Sequence, residues 1–250
     1  MITDPFFFAV AIPAVLIMGI SKGGFGSGLG IMATPLVALA VPTPQAAAIM
    51  LPILLVMDAT GLVAYRGTFH RANLGLLLAG GMAGIALGAL TFRHFSEAGI
   101  RAILGAMALA FVAHRMHQGG TAAPAVTPSR AKGLFWSTLS GLASTIAHAG
   151  GPPLSVYLLP QKLDKAVLVG TTVIFFAVIN AAKLVPYFWL GLFDATNLLT
   201  SLALVPLAPA GILLGVWLMR RLSQEVFYRV AYAMLTLVGM KLLWDGVRGL

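Results

Sequence analysis

The chain contains no cysteine and few charged residues. Only 9% of its 250 residues are Asp, Glu, Lys or Arg, whereas roughly 25% are charged in soluble domains. The lack of cysteine excludes disulfide bonds and thiolate metal sites. The five histidines show no metal-ligand spacing on a helix. We therefore predict no metal site and no cofactor, and the scarcity of charge predicts an integral membrane protein.

Nucleotide-binding motifs are absent as well. No Gly-Lys-Ser or Gly-Lys-Thr triplet closes a spaced pair of glycines, which excludes a phosphate-binding P-loop. The glycines between residues 23 and 30 do not follow a soluble strand, so they do not form a dinucleotide fingerprint.

The first five residues, Met1–Pro5, carry no basic side chain, which predicts that no cleaved signal peptide begins the chain.

Apolar side chains dominate what is present. Hydrophobic residues make up 59% of the chain, and apolar runs of about twenty residues recur, enough for a helix to cross about 30 Å of hydrocarbon. The alternation typical of outer-membrane barrels does not occur. We predict an all-α polytopic membrane protein, multi-pass in a bacterial inner membrane. Its predicted spans are 45–65, 71–92, 97–114, 166–190, 196–218 and 225–245, with broken apolar segments at 5–41 and 133–160.

The same order of elements occurs twice. The strongest internal match pairs Gly67–Leu74 with Gly191–Leu198, an offset of 124 residues. Further matches at offsets up to 127 are Pro35 with Pro160, Gly84–Gly88 with Gly211–Gly215, Arg93 with Arg220 and Ser96 with Ser223. Ordered matches with nearly constant offsets indicate duplication. We predict a first repeat at 1–114, a cytoplasmic linker at 115–132 and a second repeat at 133–250.

The basic residues predict the orientation of the two repeats. The chain carries 16 Lys and Arg against 7 Asp and Glu, and the basic side chains mostly end apolar segments, so they indicate topology and no nucleic-acid partner. If each broken segment is a re-entrant hairpin, most basic residues fall on one face, which the positive-inside rule makes cytoplasmic. If each broken segment crossed the membrane once instead, most of this asymmetry in basic residues between the two faces would vanish. We predict two inverted repeats, each a re-entrant hairpin plus three transmembrane helices, with both termini outside.

Two glycine-rich breaks, Ser21–Gly28 and Ser144–Pro153, occupy equivalent places in the repeats. An unwound helix at membrane depth survives only where protein or a water-filled cavity pairs its backbone groups. Half-helix N-termini present free N–H groups to anions, and Pro152 and Pro153 suit the first turn of such a half-helix. The breaks therefore predict one shared anion site, although two ordinary loops between short spans remain an alternative.

Several polar side chains are candidates for this site. Lys183 follows Asn180 by three residues, so both lie on one face of an apolar span, and an intramembrane lysine is a functional hypothesis by default. Lys22 either binds the anion or snorkels to an interface. His148 either contacts the anion or is a structurally satisfied histidine. Asp58 is predicted to carry a proton or to pair with Arg66 or Lys22.

The predicted substrate-binding residues are Ser21, Lys22, Gly24, Gly26, Ser27, His148, Gly150, Gly151, Thr171, Thr172, Asn180 and Lys183. The candidates for proton coupling are Asp58 and His148. A different role is predicted for the glycines at spacing four, since small residues at that spacing let helix backbones approach closely in lipid. These helix-packing glycines are Gly80, Gly84, Gly88, Gly211 and Gly215.

Over nearly its whole length, the chain resembles the TauE/SafE sulfite exporter family, also called the TSUP superfamily. The resemblance rests on the first break followed by Thr34-Pro35-Leu36, on His148–Pro153, on Val169–Thr172 leading to Asn180–Lys183, and on the turn Gly191–Asp194. It implies a secondary transporter of sulfite, thiosulfate, sulfonates or related organic anions. The run Ser21–Phe25 departs from the family's simpler glycine run, which leaves the substrate open.

We predict that the chain is not an enzyme but an alternating-access transporter whose partners are a small anionic substrate and the lipid bilayer. A homodimer is left open. Two alternatives from other classes remain. One is an intramembrane enzyme acting on a lipid phosphate, with His148 as nucleophile or base and Asp58 as the carboxylate that would have to converge on it. The other is an anion channel, which differs from a carrier in lacking saturable flux and counterflow.

Overall fold

The computed structural model describes residues 1–25, 33–91, 96–189 and 194–249. Within these ranges the regular secondary structure is helical, as predicted, apart from turns. The α-helices are α1 (Pro5–Phe25), α2 (Ala33–Val37), α3 (Thr43–Ala64), α4 (Arg71–Thr91), α5 (Glu97–His117), α6 (Arg130–Ala147), α7 (Gly151–Leu158), α8 (Lys165–Trp189), α9 (Ala195–Leu204), α10 (Leu207–Arg221) and α11 (Gln224–Arg248).

Six of the described helices, α1, α3, α4, α5, α8 and α11, are long and apolar enough to cross a membrane. The pair α9 and α10 makes a seventh candidate span, bent by 42°. The chain is therefore a multi-pass membrane protein. The pair α9 and α10 covers most of the span predicted for 196–218, and it bends where Pro206 lies at the junction, because proline has no N–H to continue the helical ladder.

Glycines bring two pairs of helices into backbone contact. Along α4, a Cβ atom at Gly84 would lie 2.1 Å from the carbonyl oxygen of Thr138 on α6. Along α1, a Cβ atom at Gly23 would lie 2.4 Å from the carbonyl oxygen of Ile212 on α10. Gly80 and Gly88 also face α6, while Gly211 and Gly215 face α1. The predicted packing role of the spaced glycines is confirmed, and these two contacts are called the glycine joints below.

The glycine joints are reciprocal between the halves. In the order of helices, α1 of the first half corresponds to α6 of the second half, and α10 of the second half corresponds to α4 of the first. The α1–α10 joint therefore corresponds to the α6–α4 joint. The remaining major pairs, α3 with α8 and α5 with α11, map onto themselves. A duplicated chain requires this reciprocity, while the duplication, the inversion and the boundaries of the repeats stay predictions.

Equivalent positions also start equivalent helices. The Nδ1 atom of His70 accepts a hydrogen bond of 3.2 Å from the N–H of Asn73 at the start of α4. At an offset of 124, Asp194 Oδ1 accepts one of 2.8 Å from the N–H of Asn197 at the start of α9. Ser96 and Ser223, at an offset of 127, likewise cap α5 and α11. The aligned residues therefore play the same structural role, because each accepts a hydrogen bond from a backbone N–H group at the start of its helix.

The two asparagines at these helix starts also join the halves to each other. Asn73 donates a hydrogen bond of 2.7 Å to Gln161 of the second half. Asn197 accepts one of 2.9 Å from Gln45 of the first half. Each half is therefore joined to the other through an amide pair near the start of its fourth helix.

Both breaks begin later than the sequence predicts. α1 continues through Phe25, so the prediction of unwound chain is wrong for residues 21–25, whose glycines stay helical because they pack on α10. α6 continues through Ala147, so the second break is limited to His148–Gly150. Between the two halves, α5 ends at His117 and α6 begins at Arg130.

The length of α1 bears on the predicted re-entrant hairpin. Its 21 residues extend about 31 Å as helix, which matches the hydrocarbon thickness of about 30 Å. α1 is therefore long enough to cross the apolar layer without turning back inside it. The re-entrant arrangement of the broken segments stays a prediction.

Candidate functional site

Polar side chains from four helices meet in the middle of the apolar bundle. We call this set the buried polar cluster, and its members are Lys22 on α1, Asp58 on α3, Ser144 and His148 at the end of α6, and Asn180, Lys183 and Tyr187 on α8. Asn180, Lys183 and Tyr187 share one face of α8 because they are spaced by three and four residues. The sequence thus brings polar groups together by helical spacing within an otherwise apolar span.

The first part of the cluster centres on the carboxylate of Asp58. Lys22 Nζ lies 2.5 Å from Asp58 Oδ1, forming an ion pair. Asn180 Nδ2 donates a hydrogen bond of 2.7 Å to Asp58 Oδ2. All three side chains are buried, with exposures of 3 to 5%. The predicted pairing of Asp58 with Lys22 is confirmed, and the carboxylate ties α1, α3 and α8 together.

The second part centres on Lys183, whose side chain is fully buried. Its Nζ donates to the hydroxyl oxygen of Ser144 at 3.1 Å and to the carbonyl oxygen of Ser144 at 3.3 Å. It also lies 3.3 Å from Nδ1 of His148. Within the described part of the chain, each of these acceptors is neutral and no carboxylate forms an ion pair with Lys183.

His148 is held in a specific orientation between two partners. It ends α6 in the left-handed region, with φ of 49°, a conformation that costs a non-glycine residue about 1 kcal/mol or more. A lysine ammonium can only donate, so Nδ1 must accept and the ring proton is assigned to Nε2. Nε2 then donates to the hydroxyl oxygen of Tyr187 at 2.7 Å. The strained turn therefore aims a neutral ring at Lys183.

The charges of the cluster do not cancel. With both lysines protonated and Asp58 ionised, two ammonium groups face one carboxylate, which gives a net charge of +1. A buried charge without a counter-charge is costly. An anion with one negative charge would balance the cluster, and Lys183 is the group left to bind it.

Two buried hydroxyl groups lie near this region without a hydrogen-bond partner among the described residues. They are Ser21 Oγ on α1 and Thr34 Oγ1 on α2, with exposures of 1% and 2%. Unsatisfied buried hydroxyls in a native protein call for an explanation such as a ligand or an ordered water. Ser21 immediately precedes Lys22 in α1, and Thr34 lies in α2.

Not every predicted residue joins the cluster. Gly24 packs on α10, where an added Cβ atom would lie 2.7 Å from the carbonyl oxygen of Gly215. Thr171 accepts from the N–H of His70 and Thr172 donates to Leu168, both near the start of α8. Nine residues separate Thr171 from Asn180, or about 13 Å along the helix. The structure therefore gives these three residues contacts elsewhere.

The second break is folded back onto α6. The carbonyl oxygen of Gly150 accepts a hydrogen bond of 2.6 Å from Ser140. Gly151 begins α7, followed by Pro152 and Pro153 in its first turn, as predicted. Gly26 and Ser27 of the first break lie outside the described residues.

A narrow cavity lies beside the end of α1 and the start of α7. Phe25, Pro152 and Thr172 contribute to its walls, together with apolar side chains of α7, α8 and α11. Its volume of about 20 Å³ leaves room for about one water molecule. None of the described residues that line it belongs to the buried polar cluster.

Sequence reasoning missed Tyr187, Ser144 and Thr34. Tyr187 carries a usable signal, because it stands four residues after Lys183 on the same helical face. Ser144 lies within the predicted second break but resembles any helix serine in sequence. Thr34 stands just after the segment 26–32, and only its burial distinguishes it. No group of three or more His, Cys, Asp or Glu within the described residues could hold a metal ion.

Comparison with protein families identifies a relationship for most of the chain. The model described as "Sulfite exporter TauE/SafE" matches residues 11–242. The match includes all seven members of the buried polar cluster. Comparison with curated proteins and with solved structures found no match.

Proposed function

Since this chain belongs to the sulfite exporter TauE/SafE family of transporters, we propose that it is a secondary transporter of small sulfur-containing anions or related organic anions. It would work in a bacterial inner membrane. The observation that carries the proposal is Lys183, a fully buried lysine whose described partners are neutral. An anion at this lysine supplies the missing charge.

The charge of the cluster favours substrates with one negative charge. A net charge of +1 is balanced by a sulfonate or by hydrogen sulfite. A dianion would leave one buried negative charge in excess unless a proton came with it. Asp58 is the carboxylate in the cluster that could accept that proton, which would release Lys22 to bind the second charge of the anion. Proton coupling through Asp58 is therefore the proposed route for dianions.

The proposed mechanism is alternating access about the two glycine joints. The cluster joins α1 and α3 of the first half to α6 and α8 of the second, so a change in how the halves pack would change its access to water. The burial of Lys22, Asp58 and Lys183 supports an occluded state, from which the substrate leaves when one half rocks against the other. Inverted repeats would make the inward and outward states similar in energy.

The enzyme alternative loses its proposed carboxylate. Asp58 contacts Lys22 and Asn180, while His148 contacts Lys183 and Tyr187. A histidine that acts as nucleophile or base on a lipid phosphate would need a partner that accepts a hydrogen bond from the N–H of its second ring nitrogen. Tyr187 offers a hydroxyl oxygen, which is a weak partner for that purpose. Transport is therefore the better-supported function.

Purified protein in proteoliposomes tests the proposal. We expect uptake of methanesulfonate or sulfite to saturate and to show counterflow, and Lys183→Met to reduce it by about 10-fold to 100-fold, the loss of one charge-assisted contact. Lys241→Met is the matched control, because Lys241 lies in α11 and pairs with Asp245. Equal uptake by both variants would refute the assignment of Lys183, and non-saturable flux without counterflow would indicate a channel.

A further inference from the structure

A second basic cavity lies outside the buried polar cluster, where the first half meets the second. Its volume is about 510 Å³, within the range of roughly 300 to 1,000 Å³ common for small-molecule sites. The end of α5, the linker, the start of α6 and the end of α7 form its walls. We call it the linker cavity.

The floor of the linker cavity contains a buried arginine. Arg115 is 4% exposed, and one terminal nitrogen donates to the carbonyl oxygen of Pro124 at 2.8 Å. Its other described contacts, with Gln118, Ala123 and Tyr232, are also neutral groups. Its Nε atom is buried without a partner among the described residues. A guanidinium carries a permanent charge, so the cavity holds a cation in need of an anion.

The start of α6 adds further groups that favour an anion. Ser129 stands at the N-cap, but its side chain does not cap the helix, so the first N–H groups of α6 are left to other acceptors. Ser129 and Lys132 both line the cavity, and His114 lines the opposite wall. The helix terminus, a buried guanidinium and an exposed lysine therefore face the same space.

Aromatic side chains form part of the remaining walls. Phe135 and Trp136 line the cavity with their rings 5.0 Å apart, edge to face. Phe135, five residues after the start of α6, is 61% exposed. Tryptophan side chains such as Trp136 are typical of the membrane–water interface. An occupant would thus have an anionic head beside Arg115 and an apolar body beside Phe135.

We propose that the linker cavity binds the phosphate headgroup of an anionic phospholipid. Basic pockets between membrane helices on the cytoplasmic side bind such headgroups by charge, and the linker lies on the predicted cytoplasmic face. A lipid bound here touches the last helix of the first half and the first helices of the second half. It would stabilise one arrangement of the halves and so control the rate of their movement.

The test measures thermal unfolding of the full chain in detergent, with dioleoylphosphatidylglycerol, dioleoylphosphatidylcholine or inorganic phosphate added. We expect the anionic lipid to raise Tm by roughly 2 to 6 °C and the other two to leave it unchanged. A shift with inorganic phosphate and none with the anionic lipid would overturn the lipid assignment. Equal shifts with both lipids would overturn the role of charge.

Three variants locate the effect. Lys132→Gln should reduce the shift by at least half, whereas Arg130→Gln, which removes an exposed charge outside the cavity from the same helical turn, should leave it intact. Val126→Trp fills the cavity without changing charge and should abolish the shift while the Tm without lipid stays near that of the unmodified chain. Equal loss in Lys132→Gln and Arg130→Gln, or a full shift in Val126→Trp, would contradict the proposal.

Discussion

The first half of the chain places its buried lysine against a carboxylate, whereas the second half places its own against neutral acceptors. Lys22 has Asp58 at 2.5 Å, while Lys183 has Ser144 and His148. In contrast, the glycine joints and the helix caps are alike in the two halves. The shared features hold the helices in place, and the difference between the lysines gives the site its charge.

Removing the carboxylate should have the largest effect. Asp58→Asn leaves Lys22 buried and unpaired, and breaking a buried ion pair by removing one partner costs roughly 3 to 5 kcal/mol. The measurement is thermal unfolding of the purified variant in detergent. Lys183→Met removes a charge that has no carboxylate partner in the described chain, so its Tm should be unchanged or higher.

The double variant Lys22→Met with Asp58→Asn sharpens this contrast. It removes both charges of the pair, so most of the lost stability should return. If Asp58→Asn alone unfolds at the temperature of the unmodified chain, or if Lys183→Met destabilises as strongly, the distinction between the two lysines is wrong.

The two glycine joints, each of which links one half to the other, should respond alike, with a smaller effect. In Gly84→Ala the new Cβ atom would meet the carbonyl oxygen of Thr138 at 2.1 Å, and in Gly23→Ala it would meet that of Ile212 at 2.4 Å. Forcing an added methyl group into packed backbone costs roughly 1 to 3 kcal/mol. Gly75→Ala, with nothing within 4 Å of its added Cβ atom, is the control and should unfold like the unmodified chain.

If one of the variants Gly84→Ala and Gly23→Ala loses stability and the other does not, the two joints contribute differently to the stability of the fold. That outcome would also argue against the two halves moving as similar rigid units.

The smallest expected effect concerns the equivalent caps. Ser96 accepts from the N–H of Gly99, and Ser223 accepts from that of Val226. Replacing either serine with alanine should cost about 1 kcal/mol, measured by the shift of Tm. A difference of more than about twofold between Ser96→Ala and Ser223→Ala would contradict their equivalence, whereas equal losses would support the duplication.

The positions of the membrane helices and the members of the cluster were largely predictable. Long apolar runs must be helical in a membrane, and a polar residue such as Asp58, Asn180 or Lys183 within such a run must turn toward protein. Helical spacing then brings Asn180 and Lys183 to one face. These predictions follow from strong constraints that act within a single helix.

The role of each glycine was less predictable. A glycine lets either a ligand or another helix approach the backbone, and the sequence near Gly24 does not distinguish the two. The structure shows a helix, α10, at this position. The start of the first break was misplaced for the same reason, since packing on α10 keeps residues 21–25 helical. Contacts between distant helices decide such cases, and a single sequence does not record them.

The surplus charge on Lys183 has a consequence for the membrane voltage. Under the proposed cycle, the empty site carries a charge of +1 and the site loaded with a monoanion carries none. An electric field acts only on the charged form, at about 2.3 kcal/mol per charge for each 100 mV crossed. The voltage would therefore drive the return of the empty carrier and leave the loaded step untouched. One unpaired lysine would set which half of the cycle the cell's membrane potential controls.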